Sequence, residues 1–159
     1  MSRQSKIQWP EKVIHKGDWD FYSIETRNFI SQDGVVLLND DKEIKAFLAL
    51  HAPESSVFPG DKEILFWSGI RSPNHELLAL GVAVKWRSSR VMLASIATHS
   101  DFRGQGLAQK LVKSMLHSLK MLGIEKVGLG VRAENLAAQK AYENIGFSLI
   151  ARFSAFARL

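Results

Sequence analysis

A chain of 159 residues and 17.8 kDa has the size of one domain, so a single core over residues 1–159 is expected. Hydrophobic residues at 46% and charged residues at 23% exclude a disordered or collagen-like chain, and the lack of cysteine excludes disulfides and cysteine chemistry. The 21 basic and 16 acidic residues leave +5, and Arg103, Lys110, Lys113 and Lys120 fall in one stretch without an acid.

That stretch reads as a solvated helix face or as a local site for an anionic ligand. Basic residues are not interleaved with aromatics, so no nucleic-acid partner is expected. Apolar runs such as residues 91–94 are far too short to cross a membrane, and no signal-peptide core follows the polar start. A cytoplasmic chain with no membrane partner is the expectation.

Residues 1–20 contain Trp9, Pro10, Gly17 and Trp19 without a sustained period and are left open. Residues 21–30 are rich in strand formers and read as an edge strand. Asp33-Gly34 signals a turn, and residues 35–38 read as a short buried strand. Asn39-Asp40-Asp41 offers cap chemistry for a helix to Ala52, with Ile44, Phe47, Leu48 and Leu50 or His51 on one side. Pro53 ends that helix, and residues 54–61 form a loop. Strands at 63–70, 77–86 and 91–98 follow at short spacing and suggest an antiparallel meander.

From Gly104 to Leu122 the period becomes helical. Ala108, Leu111, Val112, Met115, Leu119 and Leu122 make one stripe, while Lys110, Lys113, His117 and Lys120 face away. Gly123 stops the helix. A strand at 127–131, a helix at 135–145 closed by Gly146 and a strand at 149–156 complete the pattern. The expected class is α/β (an α+β mixed sheet): an antiparallel meander followed by β-α-β-α-β.

The segment Thr98-His99-Ser100-Asp101-Phe102-Arg103-Gly104-Gln105-Gly106-Leu107-Ala108 carries the most chemistry. It leads from a strand through a polar turn into a helix whose first turn is expected to hold two glycines. Each would cost a helix about 1 kcal/mol relative to alanine. Close approach of another group to the backbone explains such placement, because the first helical amides lack partners and carry the positive end of the dipole. Bare amides beside Arg103 and Lys110 would cradle a phosphate. A tight strand–helix turn without a ligand is the alternative for glycines alone. Walker A chemistry is excluded because Leu107-Ala108 follows Gly106, and the stretch from Gly128 lacks the acidic residue that a dinucleotide site needs.

Arg103-Gly104-Gln105-Gly106-Leu107-Ala108 resembles the acyl-CoA pyrophosphate loop of the GNAT N-acetyltransferase superfamily. Asn135-Leu136-Ala137-Ala138, followed by Tyr142 and Gly146-Phe147, is similar to the second signature of that family. The resemblance covers about residues 77–153 and makes 77–159 the acyl-CoA-binding half. It implies a sheet whose central strands splay to admit acetyl-CoA. It further implies that Ile96, Ala97 and Thr98 bind the pantetheine through their backbone, and that Arg103, Gly104, Gln105, Gly106, Leu107, Ala108 and Gln109 hold the pyrophosphate. Asn135 would also touch the coenzyme, and Tyr142 would be the general acid at its sulfur.

The implied reaction is N-acetyl transfer to a primary amine of a small molecule by direct attack. A protein or peptide amine as acceptor, and a non-catalytic acyl-CoA sensor, are the alternatives. Asn135, Ala138 and Tyr142 share one helix face, and Asn135 can also cap that helix. A phenol of pKa ~10 stays protonated at neutral pH and can donate to a developing thiolate. A backbone N–H of residues 96–98 would serve the oxyanion. The general base is not legible. Some relatives carry a glutamate where Gly130 stands, and the face of Gly128 and Gly130 is expected to be open. His51, Glu63, Glu76, His99 or a water chain are the candidates. The five histidines are scattered, so no metal is expected. A homodimer is compatible with the sequence.

Overall fold

In chain order the elements are strand β1 (Val13–Glu25), β2 (Val35–Leu38), helix α1 (Asp41–His51), and strands β3 (Ile64–Arg71), β4 (Leu77–Lys85) and β5 (Val91–Thr98). A 3-10 turn (Ser100–Phe102), α2 (Leu107–Met121), β6 (Lys126–Arg132), α3 (Leu136–Ile145) and β7 (Ser148–Arg158) follow. The computed structural model describes residues 12–158, so Trp9 and Pro10 lie outside the described residues. Among the described residues, seven strands with three α-helices make this a mixed α/β chain, with the expected β-α-β-α-β order after the meander. Two compact units contain the described residues, one of residues 25–127 and one of residues 12–24 with 128–158.

In the first unit β2, β3, β4 and β5 pair antiparallel in that order, so the meander has a fourth strand. Strand β2 forms where expected but is not buried. It lies at the edge, where Leu38 is enclosed and Leu37 is 64% exposed. A short apolar run with a neighbour on one side cannot hide both of its faces.

Helix α1 starts because the Asp40 side chain accepts the Lys42 and Glu43 amides. It buries Ile44, Phe47 and Leu48, leaves Leu50 exposed, and continues its inward face with the His51 ring, 4.6 Å from Phe47. Glu43 accepts two bonds of 2.7 Å from Arg71, which tie α1 to β3 and hold the Glu43 carboxyl below its usual range.

Helix α2 packs on β4 and β3 through Leu111, Val112, Met115, Leu116 and Leu119. Burying each such side chain stabilises the fold by about 1.5–3 kcal/mol. Leu122 lies beyond the helix and is exposed, and Leu116 takes a place in the stripe instead. His117 and Lys120 do not face away. His117 Nδ1 and Lys120 Nζ lie 3.1 and 2.6 Å from the Phe29 carbonyl, because the segment after β1 needs partners for its backbone.

In the second unit the strand order is β6-β1-β7. Strand β1 is therefore central rather than an edge strand, and it ends at Glu25 instead of reaching Ile30. It pairs antiparallel with β7 from Val13↔Arg158 to Ser23↔Ser148. Tyr22 is fully buried, and its hydroxyl donates to Glu143 at 3.1 Å, fastening β1 to α3. Among the described residues no helix is long and apolar enough to cross a membrane.

Candidate functional site

The glycine turn differs from its expected form in one respect that matters. Gly104 and Gly106 do not lie inside α2. They precede it with φ of +77° and +75°, and Gly106 is the N-cap. The left-handed conformation therefore explains the residue type without a helical penalty. A Cβ on either glycine would meet nothing within 4 Å, so the turn also stands in open space. No side chain caps α2, and its first turn contains no acidic residue. Its leading amides are thus presented bare, with the dipole behind them. That donor set suits an anionic diphosphate.

Arg103, expected to add charge beside those amides, is engaged with backbone carbonyls. Its guanidinium donates to the His51 carbonyl at 2.9 Å and reaches the Thr98 carbonyl at 3.4 Å. Lys110 Nζ lies near Gly34, where a Cβ would come within 3.8 Å. Ile96, Ala97 and Thr98 sit on β5 as expected, and Ala97 and Thr98 pair with Leu80 and Ala79.

A feature absent from the sequence reading interrupts β5. Leu80 pairs with Ala97 and Val82 with Ala94, so Ser95 and Ile96 together oppose Gly81. Ser95 has φ +48°, a left-handed value that a non-glycine residue rarely adopts. Such a bulge bends the strand and re-aims its backbone groups. Two contacts hold it. Ser95 Oγ donates to the Val57 carbonyl at 2.9 Å and accepts the Val57 amide at 3.3 Å. Across from it, a Cβ on Gly81 would fall 2.5 Å from Ile96 Cδ1 and 3.2 Å from Met115 Sδ, so any larger residue there would require the Ile96 side chain to shift.

Two of the base candidates are brought together. The His51 and His99 rings lie 4.2 Å apart, although the histidines are scattered in sequence. His51 Nδ1 accepts the Ser100 amide at 3.2 Å, and His99 Nδ1 accepts the Asp101 amide at 3.2 Å. Burial, then His99 and Arg103, push the His51 pKa down. Glu76 Oε1 stands 3.8 Å from His99 Nε2, and Glu63 is exposed before β3. Among the described residues no group of three or more histidine, aspartate or glutamate side chains is arranged to hold a metal ion.

In the second unit Asn135 and Tyr142 lie at the start and on the buried face of α3. Asn135 Oδ1 accepts the Ala138 amide at 3.1 Å, the capping role read from the sequence. The Tyr142 ring is 8% exposed and packs edge-on to Phe147 at 5.9 Å. Burial pushes its phenol up to about 12. The face at Gly130 is not open, because a Cβ there would lie 3.4 Å from the Phe21 ring. Phe21 on β1 covers the glycine, and the Phe153 ring backs it at 5.2 Å.

The family model described as acetyltransferase (GNAT) family matches residues 3–147. The chain belongs to the GNAT family. A [ribosomal protein bS18]-alanine N-acetyltransferase of Haemophilus ducreyi is 38% identical over 58 residues, 36% of this chain and 40% of that one. A mycothiol acetyltransferase of Corynebacterium glutamicum is 41% identical over 54 residues, 34% of this chain and 18% of that one. The matched segment thus spans less than half the length of either curated relative. A solved GNAT-family acetyltransferase from Novosphingobium aromaticivorans shares the fold at TM-score 0.74 and 19% identity, over 98% of this chain and 71% of that one.

Within this GNAT chain, sequence reasoning missed the Ser95 bulge, the Phe21 cover and the stacking of His51 on His99. A serine inside an apolar strand was the one available signal for the bulge. Nothing local announces contacts between residues so far apart in sequence.

Proposed function

We propose that this GNAT chain transfers the acetyl group of acetyl-CoA to a primary amine by direct attack. The observation that carries the reading is the bare left-handed Gly104–Gly106 turn ahead of α2, in a chain matched by the family model over residues 3–147. In this reading the amides of residues 104–109 receive the diphosphate, and the backbone of residues 96–98 receives the pantetheine. Arg103 contributes by holding the turn, since its guanidinium is engaged with carbonyls. Acetyl-CoA supplies an activated acyl carbon. The amine nitrogen bonds to that carbon, the C–S bond breaks, and the sulfur leaves as thiolate.

Tyr142 is the proposed donor to that sulfur. Its raised pKa keeps the phenol protonated throughout the working range. Asn135 combines its cap with a proposed coenzyme contact. The bulge at Ser95 and Ile96 supports a backbone N–H of that stretch as the oxyanion donor. With Phe21 over Gly130, a water chain suits proton removal from the amine better than a carboxylate there.

A small-molecule amine is the proposed acceptor. One curated relative is named for a ribosomal-protein alanine and another for mycothiol, so a peptide amine is the second reading. An acetyl-CoA turnover screen on pooled small amines and pooled peptides, read by mass spectrometry, tests both. Acetylated small amines support the first reading, acetylated peptides the second, and coenzyme binding without product on either pool defeats the enzymatic reading.

A further inference from the structure

His51 and His99 turn the nitrogens a base would use toward the backbone. Each Nδ1 accepts an amide N–H, from Ser100 and Asp101 respectively, and Ser100 Oγ lies 3.0 Å from His51 Nδ1. An amide offers no lone pair there, so each neutral ring carries its hydrogen on Nε2. The His51 carbonyl also receives the Arg103 guanidinium at 2.9 Å. One residue at the end of α1 thereby grips both flanks of the 3-10 turn. Phe47, 4.6 Å from His51, and Phe102, 5.2 Å from His99, enclose the stacked rings.

Resting on the reading of residues 103–109 as the diphosphate loop, we infer that His51 and His99 are positioning residues for donor binding. Their Nδ1 atoms fix the Ser100–Phe102 turn, and through it the Arg103–Gly106 turn, in the shape that receives the diphosphate.

A distinctive consequence separates this role from packing. A side chain that offers an acceptor in the same place should preserve donor binding, and one of similar bulk that offers none should not. The charged and titratable groups around His51 are His99, Arg103 and Asp101, and His99 faces Glu76. Loss of one such hydrogen bond should weaken donor binding about fivefold.

The test is calorimetric binding of dephospho-coenzyme A, which lacks the phosphomonoester that would itself titrate near pH 6. The doubly substituted His51→Asn, His99→Asn chain keeps an acceptor in each place. It should bind within about threefold of wild type at about pH 7.5. His51→Leu should bind at least about fivefold more weakly than wild type at that pH. His51→Leu affinity within about twofold of wild type, or a double asparagine variant as weak as His51→Leu, overturns the inference alone. Absence of binding by every form removes the donor-site reading and this inference with it. Independently of any substitution, imidazole nitrogen resonances of the wild-type chain should report unprotonated Nδ1 on both rings at neutral pH. A hydrogen on either Nδ1 would overturn the assignment.

Discussion

Replacing Tyr142 by phenylalanine removes one oxygen and leaves the ring that packs on Phe147 at 5.9 Å. The size of the effect follows from the environment. With the phenol raised to about 12, complete proton transfer to a thiolate of pKa ~8.5 would run uphill by about 3.5 units, or about 5 kcal/mol. Tyr142 therefore contributes as a hydrogen-bond donor to growing negative charge. A bond of that kind is worth about 1.5–3 kcal/mol, which predicts a kcat lower by about 10- to 150-fold. Dissociation constants for acetyl-CoA should stay within about twofold, because the lost interaction grows only as the bond breaks. The released thiol can be followed with a chromogenic disulfide reagent, since the chain has no cysteine to react with it. A kcat within twofold of wild type would refute the reasoning. So would a basic limb near pH 9–10 in the wild-type profile that the variant lacks.

Three further outcomes are expected. Gly106→Ala retains open space around its Cβ but must adopt φ +75°, at about 1–2 kcal/mol, and should weaken coenzyme binding about fivefold or more in calorimetry; lost stability with unchanged affinity would confine the glycine to folding. Gly81→Ala drives a methyl toward Ile96 Cδ1 at 2.5 Å, beside Met115, and should cost about 1 kcal/mol in denaturant unfolding, whereas an unchanged midpoint would mean that the Ile96 side chain yields without loss of packing. Because the folded-state pKa of Tyr142 is raised, its stabilising contribution is complete below the unfolded value of ~10 and fades as pH climbs toward about 12. Unfolding titrations should therefore lose about 2–3 kcal/mol across that window in wild type and not in Tyr142→Phe.

Local chemistry made much of this chain readable. Asp40 and Asn135 cap the helices they precede, Gly146 closes α3, and β5 has the expected limits, because each depends on neighbours within a few residues. The glycine turn was legible as composition, while its left-handed geometry moved the start of α2 from Gly104 to Leu107. What escaped depends on partners distant in sequence. Strand β1 is central because β6 and β7 flank it, Phe21 covers Gly130 across strands, and Arg103 reaches back to His51. His117 and Lys120 fit a solvated face by period alone, yet an orphaned carbonyl at Phe29 recruits them.

The position of β1 between β6 and β7 bears on how the chain acquires its shape. During synthesis this strand emerges first among the described elements and must wait until almost everything else has been made before either neighbour exists. Closure over so long an intervening segment is entropically slow and ranks among the late events of folding. Clipping residues 13–25 would split β6 from β7 rather than trim a border, so amino-terminal truncations should be far more damaging than their length suggests.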